Sequence, residues 1–365
     1  MGISGIGNLN CKWFQKSANF EFDIKSEETE SDAISIQEFD NLIPQKIFKK
    51  MTNANIKSNK NNVKFKTIKI DNNQLENEEN KREIYYHGEF NKEGQKDGKG
   101  KMIIINQNKE KIFYYGLWEN DILNSGKIYY INDEEYEGEI KNYLRDGKGK
   151  FISQNETYEG NWREDKKDGK GKLKYKDGTL YEGDFKNNQF NGKGKINFPN
   201  GIKYNGEFVN NLFHGQGCLE GNNCHIYNGN FKNGQFNGYG EFKWIDENGH
   251  MDVYKGNYTN GKKDGKGELY FKNGDIFDGN WESGNPHGEG NYETKNRKYF
   301  GNWRSGIFTQ LIDVETKVGG EEEKLNLNFI TPIEDIYNAE ELFSSLNSNS
   351  SSIRQQSFNA SVEII

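Results

Sequence analysis

Two half-motifs recur in step across residues 83–306, and their spacing decides what this chain can fold into. The first is an aromatic residue followed two places later by glycine, headed by Tyr86, Tyr114, Tyr136, Tyr158, Tyr181, Tyr204, Tyr227, Tyr254, Phe277 and Tyr299. Successive heads lie 28, 22, 22, 23, 23, 23, 27, 23 and 22 residues apart, a unit of 22 or 23 with insertions in the first and seventh copies. Eleven residues after the head, seven copies begin Gly-x-Gly, at Gly147, Gly169, Gly192, Gly215, Gly238, Gly265 and Gly288. The first copy has it one residue late at Gly98, the second keeps only Gly126, and the tenth stops after Gly306. One Gly-x-Gly alone carries little information; two motifs locked in register define a repeat protein.

The unit from Tyr158 to Thr179 shows what each copy forms. In Tyr158-Glu159-Gly160-Asn161-Trp162 the rings and the glycine share one parity, and in Gly169 to Tyr175 the lysines take the opposite one. Alternation with period two is the strand signature, so each unit reads as a hairpin with one aromatic and one charged face. The Asp168-Gly169 pair and the reversal Lys176-Asp177-Gly178-Thr179 supply the positive φ angles expected of tight turns. Glycine weakens a strand, so its recurrence on the aromatic face needs a reason: without a Cβ, Gly160 and Gly171 let rings lie flat over the backbone. The prediction is an all-β, elongated, single-layer antiparallel hairpin array of about ten repeats with short flanking helices. About twenty strands at ~4.8 Å each would extend roughly 95 Å. Composition agrees, since 42 glycines and 14% aromatics accompany only 32% hydrophobic residues, too little aliphatic material for a multilayer core.

Both half-motifs resemble the MORN (membrane occupation and recognition nexus) repeat, a unit of about 23 residues reading Tyr-x-Gly-x-Trp/Phe, a turn, then Asp-Gly-x-Gly. The resemblance covers residues 83–306 and implies an elongated, twisted hairpin array without implying one activity. Proteins similar in this way include junctional membrane tethers, radial-spoke head proteins of motile cilia, cytoskeletal scaffolds of protists, and arrays attached to lipid kinases or a histone methyltransferase domain.

A sheet with an aromatic face is not expected to leave that face in water. The partner-binding candidates are therefore Tyr136, Tyr158, Trp162, Tyr181, Phe185, Tyr204, Phe208, Tyr227, Phe231, Tyr254, Tyr258, Phe277 and Trp281. Three covers fit: a helix of the chain itself, a second copy in a homodimer, or a helix from a partner. The chain's own candidate follows Thr331-Pro332-Ile333-Glu334, an N-cap, first-turn proline and capping-box glutamate, with Ile333, Ile336, Ala339, Phe343 and Leu346 at helical spacing over about 332–346.

The flanks divide into an Asn/Lys-rich arm at 1–82, a C-terminal extension at 307–346 and a Ser-rich tail at 347–365. In the arm, Trp13, Phe14, Phe20, Phe22 and Ile24 suggest an edge strand, and Ile34 to Met51 one or two helices interrupted near Pro44. A disordered arm that orders on a partner fits the same composition, and the stretches around Asn61-Asn62 and Asn72-Asn73 read as solvated linker.

Charge narrows the partners. The arm carries a net +1, the array -1 and residues 307–365 -7, so no segment has the basic excess of a nucleic-acid binder. Lys170, Lys172 and Lys174 form a local basic run that suits anionic phospholipid, although Glu159, Glu164, Asp165 and Asp177 sit beside it. His214 and His287 fall where other copies have Asp168 or Asp146, which reads as turn chemistry. His214, Cys218, Cys224 and His225 lack the paired spacing of a zinc site, the Gly-x-Gly motifs open no helix, and no nucleophile elbow or kinase motif occurs. The expectation is a non-enzymatic scaffold without cofactor or metal, binding protein subunits, in the cytoplasm and cytoskeleton, with the ciliary axoneme as address. A peripheral tether on anionic lipid is the alternative. Three cysteines in 365 residues fit a reducing compartment.

Overall fold

Period-two alternation becomes strand throughout. The computed structural model describes residues 34–53, 64–71, 82–106, 108–221 and 225–317. Among them lie two helices, α1 (Ile36–Asn41) and α2 (Gln45–Asn53), and twenty-one strands from β1 (Lys64–Asp71) to β21 (Ile307–Thr316). The described residues form two compact units, those from 34 to 176 with 186–188, and those from 177 to 185 with 189 to 317. Within each, strands pair antiparallel with their sequence neighbours. The fold is all-β, as the alternation predicts.

The hairpin of β8 (Glu156–Arg163) and β9 (Lys166–Tyr175) illustrates the copy. Tyr158 pairs with Leu173 and Gly160 with Gly171; the register then shifts, so that Trp162 faces Lys167. Three residues, Asp168 to Lys170, thus oppose Asn161 alone. That bulge requires Gly169 at φ +100, a conformation other residues seldom adopt. The reversal itself is Glu164-Asp165, both with positive φ as in a two-residue hairpin turn. The expected turn at Asp168-Gly169 is therefore corrected to a bulge inside β9. The same correction moves His214 and His287 into strands, β13 (Leu212–Glu220) and β19 (Asn285–Glu293), where each precedes a bulge glycine.

Neighbouring hairpins are tied together at these turns. The Asp165 N–H donates to Arg145 O at 3.0 Å while Asp165 Oδ1 accepts from the Arg145 N–H at 2.8 Å. Asn211 repeats both bonds with Phe190. Where glycine replaces the Asp or Asn, at Gly284 for example, the backbone bond to Lys263 O remains.

The flanks extend the sheet further than the motifs do. β1, in the expected linker-like arm, pairs along its whole length with β2 (Glu83–Phe90), and β21 pairs with β20 (Arg297–Arg304) beyond the last motif glycine. The helices expected around Pro44 form. Ser35 caps α1, accepting from the Glu38 N–H at 3.1 Å while Glu38 accepts from the Ser35 N–H at 2.7 Å. Phe39, Ile43, Ile47 and Met51 pack on Ile103, Ile105, Phe113, Tyr115 and Tyr129 of β3 (Lys96–Ile105), β4 (Lys111–Glu119) and β5 (Ile122–Tyr130). Those strand residues project from the side opposite Tyr86 and Tyr114, so the helices cover the outward face. The edge strand expected near Trp13 to Ile24 and the helix expected at 332–346 lie outside the described residues.

Candidate docking surface

Each tyrosine head is buried by its own copy and its neighbours. Tyr204 lies flat over Gly206 and Gly217: a Cβ built on Gly217 would meet its ring within 2.7 Å. Phe213 stacks on the ring at 3.9 Å and 16°, while Phe208 and the next copy's Phe231 meet it edge-on, both at 5.1 Å. The Tyr204 hydroxyl donates to Glu207 O at 2.9 Å, a bond three residues along that recurs from Tyr136, Tyr158, Tyr181, Tyr227 and Tyr254.

The position of Phe213 carries a second kind of cover that sequence reasoning missed. Phe190 and Phe236 stack there too, but in four copies the place is taken by a buried cation, Lys96, Arg145, Lys167 or Lys263. Arg145 lies 4.2 Å over Trp162 and holds Asp165 at 3.0 Å; Lys167 lies 5.3 Å over Tyr158 and pairs with Glu156; Lys263 lies 5.1 Å over both Trp244 and Trp281. Aliphatic stems fill the space that a phenyl ring fills in other copies, and the charge rests on the ring faces.

All thirteen residues expected to bind a partner, Tyr136, Tyr158, Trp162, Tyr181, Phe185, Tyr204, Phe208, Tyr227, Phe231, Tyr254, Tyr258, Phe277 and Trp281, are consequently at most 4% exposed. The aromatic face is corrected from a docking surface to the core, because stacking, glycine spacing and the next copy's ring have already removed it from water.

That burial has a consequence at high pH. Burial, reinforced by Glu135, pushes the Tyr129 hydroxyl up to about 12, and burial drives Tyr86, Tyr158, Tyr204 and Tyr227 higher still. The folded chain keeps phenol protons that the unfolded chain releases near pH ~10, so this stability is complete below that pH and falls as pH rises through it. Alkaline titration should give tyrosinate absorbance in step with loss of sheet circular dichroism; ionisation of all tyrosines near pH ~10 with the sheet intact would contradict it.

What remains for docking is the outward face. In the first unit it carries rows of alternating charge: Lys150 faces Glu137 and Glu159, and Glu159 also faces Lys172. Lys127 extends the row with a 2.9 Å bond to Glu137. Lys170, Lys172 and Lys174 are exposed on this face with Lys148 and Lys150. In the second unit the corresponding row turns to amides around Cys218, with Asn205 and Asn228 on either side of it, and returns to charge at Glu241, Lys255, Glu268 and Asp278; the Cys218 thiol is pushed up by burial and by Glu220. His225 lies beside Phe242 and accepts from the Ile245 N–H at 3.3 Å, His287 sits 3.2 Å from Glu282, and Cys224 lies outside the described residues. Among the described residues no group of three or more His, Cys, Asp or Glu side chains is placed to hold a metal ion, and no helix is long and apolar enough to cross a membrane.

The family model of the MORN repeat matches residues 86–109, 136–157, 158–180, 181–203, 204–223, 227–249, 254–276 and 277–297. The chain belongs to the MORN repeat family. Copies two and ten, outside those segments, form MORN-like hairpins with altered cores. Leu123 rather than a ring approaches Gly116, the Tyr114 hydroxyl donates instead to Tyr143 O at 3.0 Å, and Phe308 lies against Gly301. No curated protein matches the chain. MORN repeats are structural modules, generally scaffolds that bind proteins or membranes.

Proposed function

We propose that this MORN protein is a non-enzymatic scaffold on which protein subunits of a larger cytoskeletal assembly dock, with the ciliary axoneme, in a radial-spoke-head-like position, as its address. The observation that carries the scaffold reading is the seat of α1 and α2. There the outward face holds a helical pair through an apolar centre rimmed by ion pairs, Lys50 to Glu135 at 2.8 Å and Lys46 to Asp133, with the Lys111 ammonium donating to Leu42 O at 3.1 Å. Helices from other subunits would use the same face, with the charged rows selecting partners by complementarity. The axonemal address rests on likeness to family members and on the Asn/Lys-rich arm.

A second reading, a peripheral tether on anionic phospholipid, is favoured by the five exposed lysines of β7 (Leu144–Ile152) and β9, three of them Lys170, Lys172 and Lys174. Glu137 and Glu159 among them weaken it. Two measurements separate the readings. Demembranated axonemes should retain the chain and crosslink it to other subunits; recovery solely in the soluble fraction would remove the axonemal address, and no protein crosslink in native cells would remove the scaffold. Sedimentation with phosphatidylserine vesicles at low salt should leave the chain in solution. Retention that is lost in the Lys170→Glu, Lys172→Glu, Lys174→Glu variant would establish the tether instead.

A further inference from the structure

The repeat closes its core by borrowing a ring from the copy that follows, and at β21 the borrowing stops among the described residues. Phe308 pairs with Trp303 as Phe213 pairs with Phe208, and Val314 pairs with Tyr299 as Leu219 pairs with Tyr204. Phe213 and Leu219 are 2% and 0% exposed, whereas Phe308, Leu311 and Val314 are only half-buried. In the interior the difference is made by the next copy: Phe231 meets both Tyr204 and Phe213 edge-on. A repeat array needs its last unit closed by something unlike a further repeat.

We propose that the chain's own segment Ile333–Leu346 packs against Phe308, Leu311 and Val314 as the end cap of the array. Three features select this occupant. The dimensions agree: the seven residues from Phe308 to Val314 span ~20 Å as strand, and the apolar stripe from Ile333 to Leu346 would span ~20 Å at helical rise. The reach is sufficient, because the seventeen residues from Lys317 to Ile333 can extend up to ~50 Å. The charges complement each other. Around the last hairpin Lys295, Arg297, Lys298, Arg304 and Lys317 outnumber Glu293, Asp313 and Glu315, with Lys317 paired to Glu293 at 2.7 Å, while the segment carries Glu334, Asp335, Glu340 and Glu341. The N-terminal helices give a precedent for a helix of this chain seated on its own sheet, there on the outward face of β3, β4 and β5. There an apolar departure from the repeat is covered by a helix opened by a capping box, Ser35 with Glu38, the pattern found again at Thr331 and Glu334.

The test uses the full chain with Cys11, Cys218 and Cys224 changed to serine. Leu311→Cys combined with Phe343→Cys should form an intrachain disulfide under mild oxidation, while Tyr239→Cys, on the exposed outward face, combined with Phe343→Cys should stay reduced. A predominantly interchain disulfide assigns the end to a second copy and overturns the proposal, as does equal or absent crosslinking in the two pairs. In the otherwise native chain, Ile336→Asp with Phe343→Asp should speed amide exchange in β21 at least tenfold and leave β13 unchanged; unaltered exchange in β21 would also overturn it.

Discussion

Gly217→Ala is expected to destabilise the second unit by about 3 kcal/mol, far more than a single added methyl group ordinarily costs. The new Cβ would lie 2.5 Å from Tyr204 Oη and 2.6 Å from Cε2, so the ring has to lift off the sheet. It has nowhere to go: Phe213 stacks against it at 3.9 Å, and Phe208 and Phe231 close its edges. Overpacking of this kind costs ~1–3 kcal/mol. Lifting the ring also strains the hydroxyl bond to Glu207 O, worth ~1 kcal/mol. Gly274→Ala separates this crowding from backbone effects. Gly274 has φ +91 with nothing within 4 Å of an added Cβ, so only the left-handed conformation is penalised, by ~1–2 kcal/mol. Urea unfolding of the two variants should differ by about 1–2 kcal/mol. Equal losses would mean that the ring is not wedged on the glycine pair.

That role for glycine could be read from the sequence, because parity alone sets Gly160 and Gly171 on the face of Tyr158. The cations were harder to place. Lys167 shares the parity of Gly169 and Gly171, so the pattern already assigned it to the aromatic side, but a lysine within a basic run suggests a solvated face. Its burial becomes intelligible only with Glu156 and the Tyr158 ring in place, since an ammonium leaves water only when paired. The turn was misplaced for a related reason. Asp-Gly is a strong turn signal, yet the positive φ it supplies serves a bulge equally well, and the hairpin reversals lie elsewhere, some without glycine, as at Glu164-Asp165 and Asn210-Asn211, and some with it, as at Asn233-Gly234 and Asn260-Gly261. The need for an outside cover was inferred from hairpins taken singly. A ring from the following copy supplies that cover, and this is a property of the register rather than of any one motif.

The outward seat of the helices was also legible and went unread. Met102 to Ile105 and Ile112 to Tyr115 are unbroken apolar runs, and a strand apolar on both parities is buried on both faces. From this follows the second large effect. Phe39→Ala should release α1 and α2 from the outward face at a cost of about 3–4 kcal/mol. Phe39 is fully buried, with Ile103, Phe113 and Tyr115 in its cluster and the His87 ring 5.7 Å away. Helices of six and nine residues have little stability of their own, so they persist only while docked. Losing ~3 kcal/mol of docking corresponds to roughly a hundredfold faster amide exchange across both helices. The uncovered Ile103, Ile105, Phe113 and Tyr129 would then form an apolar patch on an otherwise charged face, and the variant should self-associate. Because copies couple mainly to their neighbours, exchange in β13 should not change. Ile36→Ala, on the same helix but 54% exposed, should stay within ~0.5 kcal/mol of the parent. If Phe39→Ala left exchange in α1 and α2 at the parent level, the helices would not depend on this core, and the outward face would lose its example, among the described residues, of a seated helical pair.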